Sequence, residues 1–251
     1  MKAAIQCTAL FALLFVSALA QTGKPNLSGS VPRDRSGKPD LSGIWLRTPP
    51  PRQSSRGDVF VLENLLSRMP PGADIPLQPW AEELFKKRVE SFAADRPSGR
   101  CLPHGIPDAM VHGGPIKIVQ TPGLTILLFE EFNHYRQIFT DGRTRPGDLN
   151  PAWFGYSTGK WEADTFVVDT RGFNDQSWLD DTGHPHTEAL HTIERFRRRD
   201  FGHMDVEVTI DDPKAYTRPW SAAIQFNLVP NAELIEDICE NERDARHMTG
   251  K

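Results

Sequence analysis

Beyond Pro115 the apolar residues fall into short runs, several of them alternating with polar ones, separated by turn-forming pairs. Met204-Asp205-Val206-Glu207-Val208-Thr209-Ile210 alternates strictly, as a strand with one wet face must. Ile116–Thr121 and Leu124–Glu131 flank Pro122-Gly123 and read as a hairpin, and Tyr135–Thr140 ends at Asp141-Gly142. Trp161–Asp169, Ala189–Arg198, Met204–Ile210, Trp220–Val229 and Leu234–Cys239 continue the series. Eight or nine short strands with turns between them predict an all-β protein, an antiparallel barrel or sandwich.

The period differs upstream. Residues 79–93 predict a helix: Pro79 suits its first position, Glu82 and Glu83 its first turn, and Lys86, Lys87 and Arg88 follow. Trp80, Leu84, Phe85, Val89 and Phe92 recur near one face and are expected to pack. A long loop rich in Pro and Gly then runs from Pro97 to Gly114. Residues 21–58 show little periodicity and are expected to form an extended strap, its second Gly-Lys-Pro repeat leading into Ile44-Trp45-Leu46, the first plausible strand. The expected organisation is therefore a signal peptide (1–20), a strap (21–58), a helix-bearing segment (59–114) and a β core (115–251).

The leader changes the expected address. Met1-Lys2, the apolar run Ala9–Val16 and Ser17-Ala18-Leu19-Ala20 have the form of a cleavable signal peptide, too short in its apolar part to span a bilayer. Cleavage near Ala20 would deliver the mature chain to the periplasm or beyond and remove Cys7. Cys101 and Cys239 remain, and an oxidising compartment favours their pairing. The net charge of −4 is spread along the chain, apart from the short run Arg195-Phe196-Arg197-Arg198-Arg199. Nucleic acid and stable membrane insertion are thereby disfavoured as partners.

Gly159-Lys160-Trp161-Glu162-Ala163-Asp164-Thr165-Phe166-Val167-Val168, Asp141-Gly142-Arg143, His186-Thr187-Glu188-Ala189-Leu190, Asp212-Pro213, Pro219-Trp220 and Cys239-Glu240-Asn241 form an ordered set. This set, spanning about Leu41 to Asn241, resembles a widespread family of uncharacterised secreted bacterial proteins, a resemblance that implies no particular activity. Ala163 stands where that family usually carries Gly, which argues against a positive-φ turn there. Gly43-Ile44-Trp45 and Gly159-Lys160-Trp161 also resemble the Gly-x-Trp motif of lipocalin-type calyces. Together with the strand number this implies a calyx-like barrel holding a small molecule in its mouth.

Chemistry-bearing residues concentrate in Asp180-Asp181-Thr182-Gly183-His184-Pro185-His186-Thr187-Glu188-Ala189-Leu190-His191. If strand geometry begins at His184, then His184, His186 and Glu188 share a face. His186 and Glu188 suit an acid/base pair near neutral pH. The same three residues suit a transition metal, in a spacing partly like that of cupins. A purely structural role for these polar groups stays open. By parity Glu194 lies on the face of Glu188, where mutual repulsion would raise one carboxyl group's pKa. A second group comprises Glu130, Glu131, His134, Tyr135, Arg136 and Asp141, in which Arg136 could bind an anionic group with Glu130 as its partner.

These features predict an exported small-molecule enzyme of hydrolase- or lyase-like acid/base type. His186, Glu188 and Glu194 are its candidate catalytic residues. Arg136, Glu130, Tyr135, His184 and Trp161 are its candidate ligand contacts. No organic cofactor is implied and a divalent metal remains possible. The alternatives are a non-catalytic periplasmic binding protein for a small organic molecule, a metal-dependent cupin-like enzyme, and a structural envelope protein.

Overall fold

The computed structural model describes residues 26–49, 64–112 and 114–239. The expected signal peptide and part of the expected strap lie outside the described residues. The chain forms β1 (Gly43–Arg47), α1 (Pro79–Glu90), α2 (Asp108–Val111), β2 (Ile116–Thr121), β3 (Leu124–Phe129), β4 (Tyr135–Phe139), β5 (Tyr156–Glu162), β6 (Thr165–Arg171), β7 (His191–Arg198), β8 (His203–Asp211) and β9 (Trp220–Leu228). The nine strands close in sequence order into an all-β barrel, β1 pairing with both β2 and β9. The barrel thus takes its first strand from the strap region.

Every neighbouring pair is antiparallel except β4 and β5, which run parallel through Ile138↔Ser157 and Phe139↔Thr158. The reason lies in the connection. Residues 140–155 return the chain along the barrel before β5 starts, as a parallel pair requires. The alternation of β8 is obeyed: Met204, Val206, Val208 and Ile210 are buried and their neighbours face outward. Leu127, Ile138, Phe166, Phe196, Val206, Val208 and Ile224 belong to one packed core.

Two expected strands are corrected. Trp161–Asp169 is not one strand but the hairpin of β5 and β6, turning at Ala163-Asp164 between the paired Glu162 and Thr165. Leu234–Cys239 is not a strand; the chain after β9 is an irregular tail. Ala163 adopts φ +51° despite its methyl group, so the turn conformation that its side chain argues against is present. An L-residue in this left-handed region carries a cost of about 1 kcal/mol or more. Ala163→Gly is therefore expected to stabilise the fold by about 0.5–1 kcal/mol, read as a rise of about 1–4 °C in Tm. An unchanged or lower Tm would contradict a strained turn.

The helix is corrected in its packing. Ala81 is buried and Leu84, Phe85 and Arg88 are half-buried, whereas Trp80 and Val89 are exposed. Phe92 lies past the end of α1, at φ +53°, and is 87% exposed. Residues 81, 84, 85 and 88 make one contiguous helical face, and the small Ala81 lets it approach closely. Phe85 stacks on His184 at 4.0 Å between ring centroids, and the Arg88 guanidinium lies 4.2 Å from the Trp178 ring and donates to the Gly183 carbonyl.

The pairing registers put the start of β2, the end of β3 and the starts of β4, β5, β7 and β9 at one mouth of the barrel. The segment holding α1 sits over this mouth. Leu65 N–H donates to Asp180 and Gln78 N–H to the Ala215 carbonyl, while Trp80 donates its indole N–H to the Lys214 carbonyl. The strap crosses the opposite end, where Arg33 forms a two-pronged ion pair with Asp164 and Phe201 N–H donates to the Gly29 carbonyl.

Candidate functional site at the barrel mouth

Four titratable side chains converge there from two loops. His104 and His112 flank the single turn α2, which carries Asp108; Glu131 belongs to the tight connection between β3 and β4. His104 Nδ1 lies 2.6 Å from Asp108 Oδ2 and its Nε2 lies 3.0 Å from Glu131 Oε1. The second Glu131 oxygen lies 2.9 Å from His112 Nδ1. The two imidazole rings are 4.6 Å apart. Asp181 completes the group from the loop before β7, within reach of His104 and Asp108.

The backbone is held in uncommon conformations around this cluster. Phe132 and Asn133 both have positive φ, at +56° and +53°, and so does Cys101 at +59°. Such conformations persist only where the surroundings over-determine them. The surroundings are visible: Glu130 accepts from Ile235 N–H, and Asn133 Nδ2 donates to the Asp237 carbonyl. A Cys101–Cys239 disulfide, with Cα atoms 5.5 Å apart, ties the same C-terminal tail to the loop three residues before His104. The expected cysteine pairing is thereby present, joined to the tail rather than to a strand.

Electrostatics follow from burial and pairing. Burial opposes the His104 imidazolium, but Asp108 and Glu131 outweigh it and push its pKa up to about 11. Burial holds the Asp108 carboxyl above the usual range even against His104. Glu131 is opposed by burial too, yet its hydrogen bonds with His104 and His112 bring it down to about 2. One Asp108 oxygen, Oδ1, is buried without a hydrogen-bond partner.

His104 and Glu131 reach the wall of a narrow cleft, whose remaining lining includes His134, Phe129, Phe132 and Phe154. His134 fixes its ring with Nδ1 2.7 Å from the Phe132 carbonyl, and Phe154 stacks against Phe129 at 5.6 Å. Polar groups therefore meet an aromatic wall around a space with room for about one water molecule. His104, His112 and Glu131 each offer a ligand atom within 4.8 Å of the others, as do His104, Asp108 and Asp181.

No family model, curated protein or solved structure matches the chain.

The candidates drawn from the sequence are distributed differently. Strand geometry begins at His191, not His184, so the expected common face of His184, His186 and Glu188 does not form. His186 is buried, with Nδ1 3.2 Å from the Thr187 carbonyl and Nε2 2.7 Å from Ser177 Oγ. Burial pushes its pKa down. Glu188 is exposed on a turn. His184 is buried with Nδ1 2.7 Å from Asp180 Oδ2. Glu194 is fully buried on β7 and paired with Arg136, not set against Glu188.

Arg136 is spoken for: it also donates to Ser157 Oγ and Thr170 Oγ1, so β4, β5, β6 and β7 each contribute to one satisfied polar layer. Glu130 turns to the tail instead of to Arg136. Tyr135 is exposed, and Trp161 packs beside Phe166 at 5.2 Å. Only Glu131 and His134 of the second sequence group face the cleft. His104, Asp108 and His112 lie within the Pro- and Gly-rich loop, where the one sequence signal for them is their spacing of four residues, twice over, which suits a helical turn.

Proposed function

We propose that the protein is an exported enzyme that acts on a small organic molecule by acid/base chemistry, hydrolase- or lyase-like, at the cleft in the barrel mouth. The observation that carries this reading is the presence of the buried His104, partner of Asp108, and the half-buried Glu131, partner of His112, on the wall of an aromatic cleft. The His104 imidazolium is placed to donate to a bound molecule and the Glu131 carboxylate to accept from it. Fixed partners on their far sides keep both in one orientation. The aromatic side chains supply apolar contact area for the rest of the substrate.

Export is supported by the leader pattern and by the disulfide, a bond that persists in oxidising compartments. Among the described residues no helix is long and apolar enough to cross a membrane. Buried behind the cleft, His186 and Ser177 pack against the His104 loop, because Gly105 directly abuts the Ser177 side chain.

A thermal-shift screen of a metabolite library, followed by mass spectrometry of each hit, tests the reading. The expected result is a hit that is chemically converted, with conversion lowered at least about 100-fold in Glu131→Gln at nearly unchanged Tm. Stabilising hits that are never converted would replace the enzyme by a binding protein. Conversion untouched by Glu131→Gln would move the chemistry away from this cleft.

A further inference from the structure

We infer that His104, His112 and Glu131 form a zinc-binding site whose open coordination position faces the cleft. The inference deepens the reading above, with His104 and Glu131 holding a metal and a metal-bound water taking over the proton work, and rests on that reading for the use of the metal, not for its binding. Bonds of about 2.0–2.1 Å in tetrahedral geometry place ligand atoms about 3.3 Å apart. Glu131 Oε1 stands 3.0 Å from His104 Nε2 and Oε2 stands 2.9 Å from His112 Nδ1, and the three side chains offer ligand atoms within 4.8 Å of one another. Two nitrogens and a carboxylate suit zinc, and three protein ligands mark catalytic rather than structural sites.

A second observation comes from the far side of His104. Its Nδ1 is held by the buried Asp108 carboxylate at 2.6 Å, which fixes the ring with Nε2 turned towards Glu131. Such carboxylate–histidine pairs recur behind metal-bound imidazoles. The remaining Asp108 oxygen is buried without a partner, and Asp181 adds another carboxylate to the same neighbourhood. His104, Asp108 and Asp181 form an alternative triplet, but all three are buried. Two members of the other triplet, His104 and Glu131, line the cleft, where a metal could reach a bound molecule. Zinc there would lower the pKa of a water in the open position towards 7 and so supply a hydroxide nucleophile at neutral pH.

The test uses the full mature chain, purified from an exporting host, stripped with a chelator and titrated with Zn(II) in a calorimeter. One equivalent per chain is expected, with uptake weakened at least about 100-fold in both His112→Ala and Glu131→Gln. Asp108→Asn should weaken it about 10–100-fold. Co(II) should give the visible absorption of a low-coordinate site. His112 and Glu131 are not fully buried, so circular dichroism is expected to show both variants folded. His203→Ala, remote on β8, should bind as the parent does. Absence of stoichiometric uptake, or equal affinity in His112→Ala and Glu131→Gln, overturns the site. Conversion of a substrate by the stripped protein would remove zinc from the reaction while leaving the enzyme reading intact.

Discussion

Arg136→Met is expected to cost about 3–5 kcal/mol of stability, lowering Tm by about 6–20 °C, because it strands a charge inside the barrel. Glu194 is fully buried and its two oxygens face the Arg136 guanidinium, one of them at 2.9 Å. Removing the cation leaves that carboxylate with no comparable partner. The double variant Arg136→Met/Glu194→Leu should recover most of the loss. Its residual polar groups already satisfy one another, since Ser157 Oγ and Thr170 Oγ1 lie 3.0 Å apart. Denaturant melts of the two singles and the double give the coupling directly. A single variant that loses less than about 1 kcal/mol would show that the pair is not what holds this layer. Ligand affinity at the cleft should survive in the double variant, which separates a structural Arg136 from the anion anchor expected from sequence.

Replacing both Cys101 and Cys239 by Ser is expected to cost about 5 kcal/mol, the chain-entropy value for a cross-link with a sequence separation of 138. The loss reaches the site by a short route. The tail bearing Cys239 is hydrogen-bonded to Glu130 and Asn133, either side of Glu131, while Cys101 lies just ahead of His104. Without the bond, both loops that present the cluster lose an anchor. The measurement is the denaturation midpoint with and without reductant, together with metal or ligand affinity in each form. Equal midpoints would mean that the tail is held by its hydrogen bonds alone.

The sequence revealed strands better than their junctions. Alternation in β8 is enough to place Met204 and Val206 inside, since burial on one side of a sheet imposes a period of two. The β5–β6 turn was hidden because Ala163-Asp164 lacks the glycine that marks such a reversal. For Arg136, parity could say that it points inward but not which acid it meets; Glu194 becomes its partner only when β4 and β7 are brought round the barrel. The site was harder still. His104, Asp108 and His112 lie in a loop with no strand period, and Glu131 reaches them from another connection. Tertiary closure, not local pattern, makes them neighbours. Conversely, the dense run from Asp180 to His191 looked chemical because polar residues crowd it. Much of that crowding serves the loop itself: Asp180 accepts from Leu65 and Gly183 and pairs with His184, and Asp212 accepts from Thr187.

The position of β1 bears on how the molecule can be made. Trp45 pairs with Leu228 on one side and with Ile116 on the other, so the first strand and the last are each other's neighbours. Until β9 has been synthesised, β1 and β8 remain open edges with their ladder groups unpaired, a template for association with other chains. Closure removes both edges in one late step, and such long-range pairing is intrinsically slow. A chain of this topology benefits from being kept unfolded by a holding chaperone until its final strand is available. The same requirement suits a polypeptide threaded across a membrane before it folds.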